Sequence, residues 1–155
     1  MAGQVKPIPE GHHALTPYLS IKGASDAIEF YKKAFGATEA FRMAQPDGRI
    51  GHAELQLGDS RLMLADEFPE MDFRSPRSIG GTPVHLHLYV ENVDAVVGRA
   101  VAAGAKVLRP VQDQFYGDRS GSVADPYGHV WHVATHKEDL SPEELRRRAA
   151  AQHKG

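Results

Sequence analysis

The chain contains no cysteine among its 155 residues. Disulfide bonds, zinc sites built from thiolates and cysteine nucleophiles are therefore excluded. Histidine, aspartate and glutamate remain as the side chains able to bind a metal ion or transfer a proton. The nine histidines stand out among them, because histidine is the side chain whose ordinary pKa lies near neutral pH.

An excess of basic charge and long apolar runs are also missing. The net charge is −2 with the histidines neutral, whereas nucleic-acid-binding domains usually carry a basic patch. No apolar run approaches the length of a membrane span, and the N-terminal residues have no signal-peptide core. We therefore expect a soluble cytoplasmic protein that binds neither nucleic acid nor a membrane.

The two halves of the chain repeat each other. The segment that begins at Asp26 and reaches Gly36 matches the segment that begins at Asp94 and reaches Gly104, at an offset of 68 residues. The strand-like run before each segment matches at an offset of 69 residues. An internal repeat of this kind predicts two copies of one supersecondary unit.

Each copy reads as a β-α-β-β-β unit, because period-two alternation predicts strands and three- and four-residue steps predict an amphipathic helix. We expect Ser25 to cap the first helix and Gly36 to end it. In the first copy the strands are predicted at 13–21, 38–43, 49–57 and 61–65, and the helix at 24–35.

The whole chain, 1–155, is predicted to be one domain built from these modules. Module one covers about 13–66 and module two covers 84–136. The linker between them, 67–83, is rich in Pro, Gly and charged residues and is long enough to fold over a cavity mouth. A C-terminal helix is predicted at about 141–150, with Ser141 opening a capping box.

Alternation also predicts which side chains face away from the helices. On the first strand of module two the apolar residues suit the helix side, so His85, His87 and Tyr89 point to the opposite face. On the last strand Trp131 suits the helix side, which places His132 opposite. If the sheets curl with their helices outside, these faces line a cavity, and such a cleft is the usual place for a small-molecule site.

Several stretches of the chain resemble the vicinal oxygen chelate superfamily, which includes glyoxalase I, fosfomycin and bleomycin resistance proteins and extradiol dioxygenases. The resemblance covers 14–140 and is greatest to the PhnB-like branch. It implies an α+β fold of two tandem βαβββ modules whose curved mixed sheets enclose a cavity, with the helices outside, and a homodimer. The stretches are TPYLSIKGASDAIEFYKKAFGA, GRIGHAELQLGDS, HLYVENVDAVVGRAVAAGAKV, QFYGDRSG and DPYGHVWHVATH.

The resemblance also implies where a metal ion would bind. In that superfamily the metal ligands, where present, come from the first and last strands of each module. The matching positions here are Thr16, Met63, His85 and His132. Two imidazoles form a reasonable half-site for Zn, Ni, Mn or Fe, whereas Thr and Met are poor ligands for such ions. A third ligand would have to come from His87, His52, Glu54 or a partner chain.

Two hypotheses about function follow. In the first, a divalent-metal-dependent lyase, isomerase or transferase binds its metal through His85 and His132, and Glu54 moves the proton. In the second, a metal-free dimer binds and sequesters a drug or a metabolite. Neither requires an organic cofactor. In both, the side chains expected to contact the small-molecule ligand are Tyr18, His87, Tyr89 and Arg119.

Each candidate also has a structural explanation. His85 and His132 could hydrogen-bond to each other, to water or to a ligand without holding a metal. Glu54 and its neighbour His52 could lie on a solvent-facing surface or in a dimer contact. Arg119 could pair with an aspartate, or it could anchor an anionic group through its planar guanidinium.

Overall fold

A computed structural model describes residues 3–153 of the chain. These residues form two compact units, one ending at Gly81 and the other beginning at Thr82, which we call unit one and unit two. Each unit has one four-stranded mixed sheet, with a helix after its first strand, in the order β-α-β-β-β. The predicted α+β class and the tandem repeat are confirmed.

The strand order of unit one is β1-β4-β3-β2, with β1 and β4 parallel and the other pairs antiparallel. The helix begins and ends at the predicted residues. Its apolar residues are buried, including Ile28 and Tyr31. The elements are β1 (Tyr18–Ile21), α1 (Ala24–Phe35), β2 (Thr38–Ala44), β3 (Ile50–Leu57) and β4 (Ser60–Asp66).

The N-terminus of α1 is capped by β4, and the prediction that Ser25 caps it is wrong. The N-cap residue is Gly23, which has no capping side chain. Instead, the Asp66 Oδ1 atom accepts hydrogen bonds from the backbone N–H groups of Gly23 and Ala24 at 3.1 and 2.9 Å. Its Oδ2 atom accepts from the N–H of Ile50 at 2.6 Å. One carboxylate thus joins the ends of three elements.

The first strand is shorter than predicted, since β1 begins at Tyr18 and not at residue 13. The carbonyl of Pro17 still accepts a hydrogen bond from the N–H of Met63 at 2.9 Å. Proline has no N–H of its own, so the ladder cannot continue on both sides. Thr16, which matches His85 in the repeat, therefore lies before the strand.

The segment after β4 is folded for much of its length. It contains a 3-10 helix at Pro69–Met71 and a short helix, α2, at Pro76–Ile79. An isolated bridge pairs Phe68 with Phe73, and the carboxylate of Glu67 accepts hydrogen bonds from the Ser75 N–H and the Ser78 hydroxyl. These contacts order the predicted linker region within itself.

Unit two repeats the topology with the strand order β5-β8-β7-β6. Its C-terminal helix is capped as predicted, because the Ser141 hydroxyl accepts a hydrogen bond from the Glu144 N–H at 3.1 Å. Among residues 3–153, no helix is both long enough and apolar enough to cross a bilayer. The elements are β5 (His85–Tyr89), α3 (Val93–Ala102), β6 (Lys106–Asp113), β7 (Asp118–Ala124), β8 (Val130–His136) and α4 (Pro142–Gln152).

Candidate functional site

Unit one contains a cavity of about 610 Å³, which we call the unit-one cavity. One wall comes from the sheet, and another from the segment after β4. Its volume lies within the range of roughly 300–1,000 Å³ that is typical of small-molecule sites. The lining residues are Tyr18, Gln45, Arg49, Gly51, Ala65, Phe68, Glu70, Met71 and Phe73.

Aromatic rings set the shape of this cavity. The Phe73 ring meets the Tyr18 ring edge-on, with 5.7 Å between the ring centroids. The guanidinium of Arg49 lies 4.3 Å above the centroid of the Phe68 ring. Arg49 also pairs with the carboxylates of Asp47 and Glu70, so its positive charge is balanced within the unit. The cavity wall is therefore mostly apolar and carries little net charge from Arg49.

A chain of hydrogen bonds leads away from the cavity at Tyr18. The Tyr18 hydroxyl lies 2.6 Å from Nδ1 of His52, and Nε2 of His52 lies 3.0 Å from Oε2 of Glu54. The other carboxylate oxygen of Glu54 lies 3.0 Å from Nε2 of His12. Glu54 and both imidazoles are mostly shielded from solvent. Tyr18 and Glu54, two predicted site residues, are thus connected through His52.

The charges in this chain determine the direction of its hydrogen bonds. The pKa of Glu54 is lowered, mainly by the hydrogen bond from His52, so Glu54 is a carboxylate that only accepts. His52 then donates to it from Nε2. When the ring carries this one proton, Nδ1 is the acceptor of the Tyr18 O–H. The pKa of Tyr18 is raised, first by burial and then by the negative charge of Glu54, so Tyr18 keeps its proton.

His12 belongs to this cluster, although no sequence pattern indicates a role for it. It lies in the N-terminal arm, 42 residues before Glu54. No periodicity or local motif connects the two residues, and only the folded arm brings them together. The cavity residues Phe68 and Phe73 were also missed. Two aromatic residues within an otherwise polar linker were the available signal.

In unit two, two predicted metal ligands lie side by side on neighbouring parallel strands. Nδ1 of His85 is 2.9 Å from Nε2 of His132, and Nδ1 of His132 is 2.6 Å from the Ser122 hydroxyl. The pKa of His132 is lowered, first by burial and then by the nearby His85, His87 and Arg109. His132 is therefore a neutral imidazole near neutral pH, the form that binds metals.

The other predicted ligand-contacting residues of unit two adjoin this pair. The ring of His87 lies 6.2 Å from that of His132 and 4.8 Å from that of Tyr89. Tyr89 is exposed and its hydroxyl is 3.4 Å from Oδ2 of Asp118. The side chains of β5 thus alternate as predicted, and its polar face brings His85 and His87 beside His132 of β8.

Arg119 is fully engaged in ion pairs. Its guanidinium donates to both oxygens of Asp94 at 2.8 and 3.1 Å and to Oδ1 of Asp113 at 3.2 Å. Pairing with an aspartate was the alternative to an anion-binding role for Arg119. Its role in contacting a ligand stays a prediction.

His85 and His132 would supply two ligands of a metal ion. Their facing nitrogens are 2.9 Å apart, a hydrogen-bond distance, whereas two nitrogens bound to one tetrahedral ion at about 2.1 Å would be about 3.4 Å apart. The pair therefore matches its structural alternative, in which the two imidazoles hydrogen-bond to each other. Within residues 3–153, no cluster of three or more His, Asp or Glu side chains is arranged to hold an ion. Thr16 and Met63 add no ligand of the kind that Zn or Mn prefers.

Comparisons with known proteins place the chain in a family. A family profile described as Glyoxalase/Bleomycin resistance protein/Dioxygenase superfamily matches residues 11–133. An uncharacterised protein of Mycobacterium tuberculosis is 42% identical over 145 residues, which cover 92% of this chain and 85% of that protein.

Solved structures share the fold. A PhnB protein from Bacillus cereus has a TM-score of 0.63 at 20% identity, covering 79% of this chain and 99% of that one. A Listeria monocytogenes fosfomycin resistance protein, FosX, in complex with Mn(II) has a TM-score of 0.61 at 18% identity, covering 86% of this chain and 94% of that one. With a repeated βαβββ unit and a profile match over most of its length, the chain belongs to the glyoxalase/bleomycin resistance protein/dioxygenase superfamily.

Proposed function

We propose that this superfamily member is a small-molecule-binding protein whose ligand occupies the unit-one cavity. The observation that carries the proposal is the cavity itself, which combines aromatic walls with a few polar groups. Phe68, Phe73 and Met71 offer apolar contact area, while the Tyr18 hydroxyl and its hydrogen-bonded partners fix an orientation. Sites for drug-sized molecules are typically built in this way.

The test is to fill the cavity with one added side chain. Gly51 lines the cavity, and an added Cβ there would meet its nearest atom, on the Gln45 side chain, at 3.4 Å, an ordinary contact. We expect Gly51→Leu to weaken binding of planar aromatic compounds, identified by thermal-shift screening, by tenfold or more in calorimetry. Gly98→Leu is the matched control, because nothing lies within 4 Å of a Cβ added on α3. Equal affinities for the two variants, both folded, would contradict the proposal.

A second candidate function is a divalent-metal-dependent lyase, isomerase or transferase. The observation in its favour is the pair of imidazole nitrogens 2.9 Å apart. His85 and His132 would hold Zn, Ni, Mn or Fe, with the remaining ligands supplied by other groups. A bound ion of this kind polarises the oxygens of a substrate. Glu54, an anion held by two histidines, is the residue we propose to accept a proton.

Metal content decides this candidate. Protein purified without a histidine tag is expected to contain close to one metal ion per chain, and His85→Ala is expected to lose it. His13→Ala is the control, since His13 lies in the exposed N-terminal arm. Metal far below one ion per chain in all three proteins would contradict the metal-dependent function and leave the binding function in place.

A further inference from the structure

The Tyr18 hydroxyl has a fixed hydrogen-bonding role. Glu54 is a carboxylate and can only accept, so His52 donates to it through Nε2. In the tautomer with this single ring proton, Nδ1 is an acceptor. The one hydrogen of the Tyr18 hydroxyl is therefore directed to His52, at 2.6 Å. What remains on the oxygen is a lone pair, so the group can only accept a hydrogen bond from a ligand.

This direction selects a class of ligand. We propose that the unit-one cavity takes a neutral aromatic hydroxy compound, whose O–H donates to the Tyr18 oxygen while its ring packs against Phe73 and Phe68. The proposal rests on the function proposed above and adds the chemical class. A ligand with only acceptor atoms beside Tyr18 could not hydrogen-bond to its oxygen, because neither atom would have a hydrogen to donate.

The negative charge of Glu54, at the other end of the hydrogen-bond chain from Tyr18, favours a neutral ligand. Glu54 lies two hydrogen bonds from the Tyr18 oxygen, so an anionic group beside Tyr18 would face a like charge. The arginine of the cavity does not offset this repulsion, because Arg49 is already paired with Asp47 and Glu70. Aromatic acids are therefore expected to bind more weakly than the corresponding phenols.

Ring geometry supports an aromatic body. Tyr18 and Phe73 meet edge-on and both line the cavity, so an incoming ring can contact either of them. Phe68 is buried beneath the guanidinium of Arg49, which forms a flat cation–aromatic surface. A molecule with two fused rings fits within about 610 Å³.

Naphthol and its methyl ether test the proposal, because the ether has a methyl group in place of the hydroxyl hydrogen and so cannot donate, and the Tyr18 variant controls for the added methyl. The wild-type protein is expected to bind naphthol about 3- to 10-fold more tightly than the ether, the range that one net hydrogen bond supplies. Tyr18→Phe should reduce this ratio to near one. Tyr116→Phe makes the same change in unit two and should leave the ratio unaltered. Binding is followed by the fluorescence of the naphthalene ring.

A second variant tests the direction of the hydrogen bonds. His52→Phe keeps a ring but removes the acceptor, which frees the Tyr18 hydrogen to donate to a ligand. The ether should then bind more tightly than it does to wild type, so the naphthol preference should fall. A purely structural role of His52 would weaken both ligands equally.

The outcomes separate this inference from the proposed function. If wild type binds naphthol and its ether equally, or if Tyr18→Phe does not change the ratio of their affinities, the proposed ligand class is overturned. The proposed function still stands in that case if Gly51→Leu abolishes binding. No binding of naphthol, its ether or naphthalene overturns both. A naphthol preference that disappears in Tyr18→Phe, falls in His52→Phe and is unchanged in Tyr116→Phe supports both.

Discussion

At the scale of residues, matching positions of the two units carry different chemistry. Tyr18 pairs with Met63 across the β1–β4 ladder, and His87 pairs with His132 across the β5–β8 ladder. Likewise Glu54 stands opposite Met63, where Ser122 stands opposite His132. The acid lies in unit one and the close imidazole pair in unit two. The two units therefore place different side chains at structurally equivalent positions.

The pKa values of two histidines in β8, His132 and His136, are expected to shift in opposite directions. Burial and neighbouring cationic groups lower the pKa of His132 below its ordinary value of 6.5. Hydrogen bonds to Asp118 and Asp139 raise the pKa of His136 above the same value. In an NMR pH titration, the His132 imidazole should therefore change charge below pH 6.5 and that of His136 above it.

The consequences for stability also differ in sign. A lowered pKa means that the unfolded chain binds more protons, so the contribution of His132 is present above about pH 6.5 and is lost as the pH falls through the folded-state pKa. The contribution of His136 is present below about pH 6.5 and is lost as the pH rises through its folded-state pKa. Titration of both residues on the same side of 6.5 would contradict the assigned environments.

At the scale of elements, the N-termini of α1 and α3 are each hydrogen-bonded by a side chain near the end of the last strand of the same unit. Asp66 at the end of β4 accepts from the first N–H groups of α1. Thr135 near the end of β8 accepts from the N–H of Val93 at 2.9 Å and donates to the carbonyl of Val90. The same geometry is thus reached with a carboxylate in one unit and a hydroxyl in the other.

Removal of the Asp66 carboxylate should destabilise the protein. Asp66→Ala leaves three backbone N–H groups without their acceptor, and we expect a loss of about 1–3 kcal/mol in the free energy of unfolding. Denaturant unfolding measures it. Asp59→Ala is the control, because Asp59 lies in an exposed turn and its removal should change stability by less than about 0.5 kcal/mol. Similar values for the two variants would contradict the capping role.

The elements themselves were largely predictable, whereas their connections were not. The helix at Ala24–Phe35 was predicted from its apolar spacing and the glycine that follows it. Ser25 was predicted as its cap because capping is usually local, but Asp66 is more than 40 residues away in the chain. The strand predicted from residue 13 begins at Tyr18, because a proline interrupts the ladder.

At the scale of the whole molecule, the internal repeat predicted the topology and the alternation predicted the polar faces. The unit-one cavity could be anticipated only in outline, from the length of the linker. Its wall depends on Phe68 and Phe73 folding back onto the sheet of unit one. The hydrogen-bond chain from Tyr18 to Glu54 likewise ends on His12, which comes from the N-terminal arm. Such contacts depend on tertiary packing, which no local pattern records.

The predicted homodimer stays a proposal at this scale. Large apolar side chains remain exposed on β2 and β5 of the described chain, among them Phe41, Met43 and Tyr89. Exposed apolar groups on strands are a common basis for association. Analytical ultracentrifugation should therefore give twice the mass of one chain at micromolar concentration. A single-chain mass that persists as the concentration rises would contradict the dimer.

The central claim is that the ligand lies in the unit-one cavity, and chemical-shift mapping tests it most directly. Naphthol is added to uniformly ¹⁵N-labelled protein, and the backbone amide signals are followed. The account predicts that the largest shifts occur at Tyr18, Gly51, Ala65 and Phe73, which line the cavity. Shifts confined to His85, His87 and His132, or no shifts at a saturating probe concentration, would contradict it.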